Sequence, residues 1–515
     1  MLRGAIAVSI AAAALASAVT LASHARGWND ELAIVSPFAH ALPGVSIDPH
    51  TPRLARRVVL VLIDGLGIDE SRLPFLDELA ARGVGAVARV PYPTISRPNY
   101  VTILTGVPPA DSGVRANRVR MPVGVDTIFD RVQAAGERVA TATDAGHLGS
   151  LFLRHAPSLG NIPLPPAPPI TWPIDDARAA GSLAELGPMI ATLAAGDASF
   201  VAALVLDVDR AGHAAGVGTA YRAAAAATDR MLRVAFAGID WSRDAVIVTA
   251  DHGHVAPGGH GGIEREVSHV PLILAGAGVV PGRVPNDARL VDVAPTIAAL
   301  LGIAAPHQAE GRALVESLAL SADDAARRTA VDRVRAQMLE LLRRASPRPD
   351  VARLGVLAVT LIAAGAFVAF ARRRGAIAFA RGSLAGIAAI PIVLAALVVM
   401  TRGQLSPSYV PSLPRVEEIG GIAAIVGIAL QVALSYRALR NAPDRLAAAS
   451  GVAAVGLGVA LTAVAIVRAW YAPPVIEVPP PLALIGVPAL ELAAAACAIA
   501  VAITLALAAR VAQRQ

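Results

Sequence analysis

Three acidic residues stand where long apolar runs stop: Asp64 after Val58–Ile63, Asp209 soon after Val201–Leu206, and Asp251 after Ala245–Thr249. Imidazoles accompany two of them, His213 one helical turn beyond Asp209 and His252 directly after Asp251, with His260 and His269 further on. Carboxylates and imidazoles together are donors for borderline divalent cations. Asp209 and His213 can share one ion if a helical turn joins them, although Asp-x-x-x-His also arises by chance. Asp251-His252-Gly253 carries more weight, because glycine lets the backbone turn sharply so that neighbouring side chains converge. Asp64 precedes Gly65-Leu66-Gly67, where an aspartate often only caps the turn. His260 is favoured over His269, which precedes Val270-Pro271-Leu272 and also reads as the flank of a strand.

A hydroxyl completes the set. Ser96 lies just before Pro98 at the start of a stretch that stops at Gly106, a helix-start signature. Backbone N–H groups and the helix dipole there favour an anion such as a phosphoryl group. The plainer reading of Ser96 is a helix cap.

These residues need a scaffold that brings them to one edge. The continuous apolar runs alternate with helical patterns, which predicts an α/β domain with a mostly parallel central sheet covered by helices on both faces. Strands are expected over Val58–Ile63, Arg138–Thr143, Val201–Asp207, Ala245–Ala250 and Val270–Ala275, and helices over Pro74–Arg82, Thr127–Ala135, Ala220–Phe236 and Val291–Leu301. In such sheets ligands bind beyond the carboxyl ends of the strands, where the acidic residues fall. The Pro-rich run Pro163–Pro173 reads as an irregular excursion bordering the site.

The rest of the chain has another character. A mean hydropathy of +0.58 is too apolar for a wholly soluble protein of 515 residues. Five apolar stretches, near Leu354–Ala371, Gly382–Met400, Ile419–Ser435, Leu446–Val467 and Leu482–Ala509, are each about long enough to cross a bilayer. Arg3 precedes a further apolar run ending in Ser23-His24-Ala25, so residues 1–26 read as either a signal peptide or a signal anchor. The expected division is an α/β domain over 30–318, an amphipathic connecting helix over 319–349 (Val331, Val334, Met338, Leu341 and Leu342 at helical spacing), and an all-α membrane domain over 350–515.

The net charge of +6 belongs to that membrane region. From Ser346 onward there are 14 Arg against 6 acidic residues, whereas the first 345 residues hold 31 basic against 33 acidic. A basic surface for nucleic acid therefore loses its support. The Arg372–Arg381 and Arg437–Arg445 loops and the Arg510/Arg514 tail fall on one side, which the positive-inside rule makes cytoplasmic. The α/β domain is then extracytoplasmic. The single cysteine, Cys497, rules out an intramolecular disulfide.

Taken in order, the segments resemble the alkaline phosphatase superfamily, and within it the nucleotide pyrophosphatase/phosphodiesterase group. The motifs are Asp64-Gly65, Pro93-Thr94-Ile95-Ser96-Arg97-Pro98-Asn99, Thr105-Gly106 with Gly113-Val114-Arg115-Ala116-Asn117, Asp209–His213, and Asp251-His252-Gly253. Val293-Ala294-Pro295-Thr296 before Leu300-Leu301-Gly302 looks like the family's closing helix, so the resemblance covers roughly 55–315. It implies one metal held by Asp64, Ser96, Asp251 and His252, and a second held by Asp209, His213 and His260. It also implies Ser96 as nucleophile, in place of the threonine of many relatives, and Asn117 as donor to a phosphoryl oxygen. Mixed Asp/His ligation favours two Zn²⁺, with Mn²⁺ as the alternative. Tyr100 stands where the sulfatase pattern has Arg, which disfavours sulfate esters.

The layout leads to three readings. The first is a membrane-bound two-metal phosphoester hydrolase working through phospho-Ser96. The second is a transferase, similar to the ethanolamine phosphate transferases of lipid anchors, moving a phosphoryl-alcohol group from a lipid-linked donor to a glycan or lipid. The third, an inactive scaffold, fits poorly with a full ligand set. Glu491, within the last apolar stretch, marks either a functional intramembrane carboxylate or simply the outer end of a span.

Overall fold

The computed structural model describes residues 2–36, 38, 52–117, 123–143, 158–159, 162–163, 176–345, 351–471 and 477–512. The chain divides into two compact units, one of residues 32–346 and one of residues 1–31 with 347–515.

The first unit is built on an eight-stranded sheet of β1 (Arg57–Ile63), β2 (Val84–Arg89), β3 (Val139–Thr143), β4 (Asp176–Ala179), β5 (Phe200–Val205), β6 (Asp244–Thr249), β7 (His269–Gly276) and β8 (Ala288–Arg289), in the order β8-β2-β7-β6-β1-β5-β3-β4. Every residue of β1, β3, β5 and β6 is buried, as strands covered on both faces must be. Each fully buried Val, Leu or Ile contributes about 1.5–3 kcal/mol, so these strands anchor the core. β1 pairs in parallel with β5 and β6, with Ile63 opposite Val205 and Leu62 opposite Thr249. That register brings the chain exits after Ile63, Val205 and Thr249 to one sheet edge.

The sheet is mostly parallel, as the apolar runs suggested, with one exception. β7 runs antiparallel to both β6 and β2. A parallel return needs a long crossover, usually a helix, whereas Ala250–Ser268 between β6 and β7 is mostly loop. Two strands carry no apolar run: β2 alternates buried with exposed positions, and β4 reads Asp-Ala-Arg-Ala. The fifth strand ends at Val205 rather than Asp207, which instead opens a helix. Apart from Pro163 itself, the Pro163–Pro173 excursion lies outside the described residues.

The helix expected to connect the two units spans Ala322–Ala345 and belongs to the α/β unit. It docks by polar contacts more than by an apolar stripe. Arg335 Nη2 donates to Gly311 O at 2.7 Å, Asp332 accepts the Ala313 N–H at 2.7 Å, and Arg343 pairs with Asp111 and Glu310. Leu339 is buried, but Val334 and Leu341 face outward.

Among its described residues the second unit holds six helices long and apolar enough to cross a membrane, the pattern of a multi-pass membrane protein: Arg3–Glu31, Arg353–Arg373, Gly382–Met400, Leu413–Leu439, Arg445–Tyr471 and Pro481–Ala512. The N-terminal segment is one of them and packs along Pro481–Ala512. Small residues allow close approach, with Gly456 against the Gly386 carbonyl and Gly451 against that of Ala378. Several buried polar groups find partners. Gln431 accepts the Ala389 N–H at 3.0 Å and donates to Cys497 O at 3.2 Å, while Cys497 donates to Gly386 O at 3.1 Å. Glu491 is buried and accepts from Arg468 Nε at 2.5 Å, and Arg468 also pairs with Glu31.

Candidate metal centre

Ser96 opens helix Ser96–Thr105, but the residue in the cap position is Ile95, and no side chain caps the helix. The Ser96 hydroxyl instead lies 3.1 Å from His252 Nε2. The cap reading therefore does not hold. Gly106 ends the helix in the left-handed conformation at φ 73°, as a glycine C-cap does. The approach to Ser96 is tied to the loop after β6. Thr94 Oγ1 donates to Gly262 O and accepts the Gly261 N–H, both at 3.0 Å, and Asn99 Nδ2 donates back to Pro93 O at 3.0 Å.

Four donors, Ser96 among them, converge here. Asp64 Oδ1 and Asp251 Oδ2 lie 3.4 and 3.3 Å from His252 Nε2. Asp64 directs its other oxygen to the Tyr100 hydroxyl, which donates to it, and Asp251 Oδ1 accepts the Gly65 N–H at 3.1 Å. The two remaining oxygens, Asp64 Oδ1 and Asp251 Oδ2, are buried and have no hydrogen-bond partner. His252 Nδ1 faces Gly253 O at 3.1 Å, so its proton sits there and the Nε2 lone pair points toward the carboxylates. Two buried carboxylates and an imidazole lone pair sharing one point repel each other unless a proton or a cation lies among them.

A second cluster adjoins the first. Helix Asp207–Ala215 puts Asp209 and His213 on successive turns, with His213 Nε2 3.4 Å from Asp209 Oδ1. His260 Nδ1 faces Thr94 O at 2.9 Å, which leaves its Nε2 lone pair 3.1 Å from His213 Nε2 and 3.9 Å from Asp209 Oδ1. The His252 and His260 rings stack at 3.8 Å. Asp209, His252 and His260 also offer donor atoms within 4.8 Å of one another, so the two candidate positions meet at His252. His269 opens β7 and pairs with Ser268 Oγ at 3.0 Å, which is its strand-flank reading.

The residue that sequence reasoning missed is His254. It is buried, its Nδ1 faces Gly258 O at 2.9 Å, and its Nε2 lies 3.0 Å from Asp209 Oδ1. The signal was there in Asp251-His252-Gly253-His254. A Cβ on Gly212 would come within 2.8 Å of the His254 ring, which is why a glycine precedes His213.

Electrostatics agree with this geometry. Burial, then the charges of Asp251 and Asp209, push the Asp64 carboxyl well above the usual carboxylate range. Burial raises Asp251 to about 7. Burial also pushes Asp209 up, but the His254 bond and the neighbouring imidazoles outweigh it and hold Asp209 low. Burial depresses both His252 and His260, the latter to about 4, so both imidazoles are neutral near pH 7. Neutral imidazoles and carboxylates are the ligand forms that metals require. Asn117 lies at the exposed rim, where its Oδ1 accepts the Arg97 N–H at 3.0 Å and its amide nitrogen turns the other way.

Residues 58–263, which include every residue of both clusters, match the family described as Type I phosphodiesterase / nucleotide pyrophosphatase. This segment is therefore similar to the type I phosphodiesterase / nucleotide pyrophosphatase family, on a chain that also carries membrane-length helices. Two 2,3-bisphosphoglycerate-independent phosphoglycerate mutases, from Roseobacter denitrificans and Wolbachia pipientis wMel, are 33% and 34% identical over 21% and 22% of this chain. The match spans only 22% of the length of either relative. Among solved structures, murine ectonucleotide pyrophosphatase / phosphodiesterase 5 is 13% identical, covering 48% of this chain and 96% of its own, with a TM-score of 0.39. The alkaline phosphatase PafA is 13% identical, covering 52% and 99%, with a TM-score of 0.42.

Proposed function

We propose that this protein is a membrane-bound two-metal phosphoester hydrolase of the phosphodiesterase/phosphatase type. The observation that carries the reading is the pair of orphaned buried oxygens, Asp64 Oδ1 and Asp251 Oδ2, beside His252 Nε2, which the Ser96 hydroxyl also meets. Asp64, Ser96, Asp251 and His252 would hold one divalent cation and Asp209, His213 and His260 the other, with Zn²⁺ favoured over Mn²⁺ by the mixed oxygen and nitrogen donors. Bound there, the ions would acidify the serine hydroxyl and neutralise charge on the transferring phosphoryl group. Ser96 Oγ attacks phosphorus, the new O–P bond forms as the bond to the leaving alcohol breaks, and water later releases phosphate or a phosphomonoester from Ser96. Asn117 holds a phosphoryl oxygen through its amide N–H, its carbonyl being fixed by Arg97.

A second reading makes the acceptor a lipid or glycan hydroxyl and the donor a lipid-linked phosphodiester. Six membrane-length helices among the described residues, with buried polar contacts such as that of Gln431, exceed what a tether requires, which favours it. For sidedness we place the α/β unit outside and the C-terminus in the cytoplasm. Arg3 pairs with Asp444 at 2.6 Å, so the basic start of the first helix shares a face with the Arg437–Arg445 loop.

The test is a labelled phosphodiester lipid supplied to wild-type and Ser96→Ala protein. Label trapped on wild-type Ser96 and absent from the variant supports the covalent route, and undiminished turnover by Ser96→Ala refutes it. Label in water-soluble product marks a hydrolase, and label in a second membrane molecule a transferase.

A further inference from the structure

Tyr100 has no place in the reaction just described, yet its hydroxyl is the one side-chain donor to Asp64 among the described hydrogen bonds. It lies one helical turn after Ser96 on the same helix, so the two side chains leave the same helix face. Tyr100 is buried, 2% exposed, against the 8% of Ser96. The helix that delivers the hydroxyl therefore also grips the carboxylate opposite it. With Oδ2 held by Tyr100, Asp64 can offer only Oδ1, which is the oxygen left without a partner beside His252.

We propose that Tyr100 is a positioning residue that fixes Asp64 as a one-oxygen ligand and locks its rotation to the placement of Ser96. This rests on the two-cation reading of the site. Groups that orient metal ligands from behind commonly change metal affinity by about 10- to 100-fold when removed. Phenylalanine is the informative replacement, because it keeps the ring in the core and deletes only the donor.

The experiment strips full-length protein in detergent with chelator and titrates Zn²⁺ by calorimetry. Wild type, Tyr100→Phe, Asp64→Asn, the double variant, and Val101→Ala are compared, the last a buried apolar neighbour on the same helix. Tyr100→Phe should weaken one of two zinc sites about 10- to 100-fold. In the Asp64→Asn background the same change should add nothing, because the hydroxyl acts through that carboxylate. Unchanged zinc affinity in Tyr100→Phe, additive losses in the double variant, or an equal loss in Val101→Ala would each overturn the role. Wild type that takes up no zinc would instead sink the two-cation reading itself.

Discussion

His254 Nε2 stands 3.0 Å from Asp209 Oδ1 while its Nδ1 is committed to the Gly258 carbonyl. An imidazole with its proton on Nδ1 turns a lone pair toward that carboxylate, and two acceptors do not bind each other. The contact is satisfied either by a second ring proton or by a cation touching both atoms. In either case His254 fixes where the Asp209 carboxylate points, and Gly212 and Gly65 leave the room for its ring.

His254→Ala should therefore weaken the Asp209 site selectively, by about 10- to 100-fold in cation affinity, and leave the Asp64 site nearly unchanged. Equilibrium dialysis with metal analysis on the detergent-solubilised protein reads both sites. Loss of both ions together, or of neither, contradicts the assignment.

Gly212→Ala probes the same contact from the other side. The added Cβ would lie 2.8 Å from His254 Nε2 and 2.9 Å from its carbons, and the ring is enclosed. The variant should lose affinity at the Asp209 site about as His254→Ala does, and the double variant should lose no more than His254→Ala alone, since no ring then remains to be displaced. Metal content of the three variants settles it, and additive losses in the double variant argue against the contact.

Cation binding should release protons under mildly acidic conditions. Asp251, raised to about 7 by burial, carries a proton in the empty site below that pH, and a cation must displace it. His260, lowered to about 4, is already neutral across the same range and releases none. Apparent affinity should fall by at least about tenfold per pH unit below about 7, because the raised carboxyl of Asp64 in the same site adds a second proton to displace. Calorimetry in buffers of different ionisation enthalpy measures the protons released. An affinity flat from pH 5 to 8 would mean that Asp251 is not a ligand.

Much of this site could be read from residue types and their spacing. Asp64, Asp209 and Asp251 follow apolar runs, and strands buried on both faces leave that imprint wherever they occur. The helix bearing Ser96 was marked by Pro98 and Gly106. What escaped had no such imprint. β2 and β4 are held by their neighbours in the sheet rather than by apolar content. The hydroxyl of Tyr100 meets Asp64 across 36 positions of sequence, and His254 meets Asp209 across 45, distances at which no periodicity speaks. The apolar spacing of Val334 and Leu341 misled for a related reason, because the Ala322–Ala345 helix is held by Arg335, Asp332 and Arg343.

The last prediction concerns the membrane unit. Arg468 bridges Glu491 and Glu31, and the Trp28 ring lies 5.0 Å from its guanidinium while Trp28 Nε1 donates to Leu484 O at 2.9 Å. Three helices thus meet at one arginine, and the first of them supplies Glu31 and Trp28. Residues 2–31 should accordingly remain with the protein, and mass analysis of the purified chain should find them. Breaking a buried pair by removing one partner costs about 3–5 kcal/mol, because the other charge is left without compensation. Arg468→Ala should then lower thermal stability in detergent markedly. Arg468→Leu combined with Glu491→Leu should recover a large part, since an apolar pair of similar bulk leaves no buried charge at that position. A chain found to begin after residue 26, or an Arg468→Ala protein as stable as wild type, would show that the cluster does not hold the first helix in place.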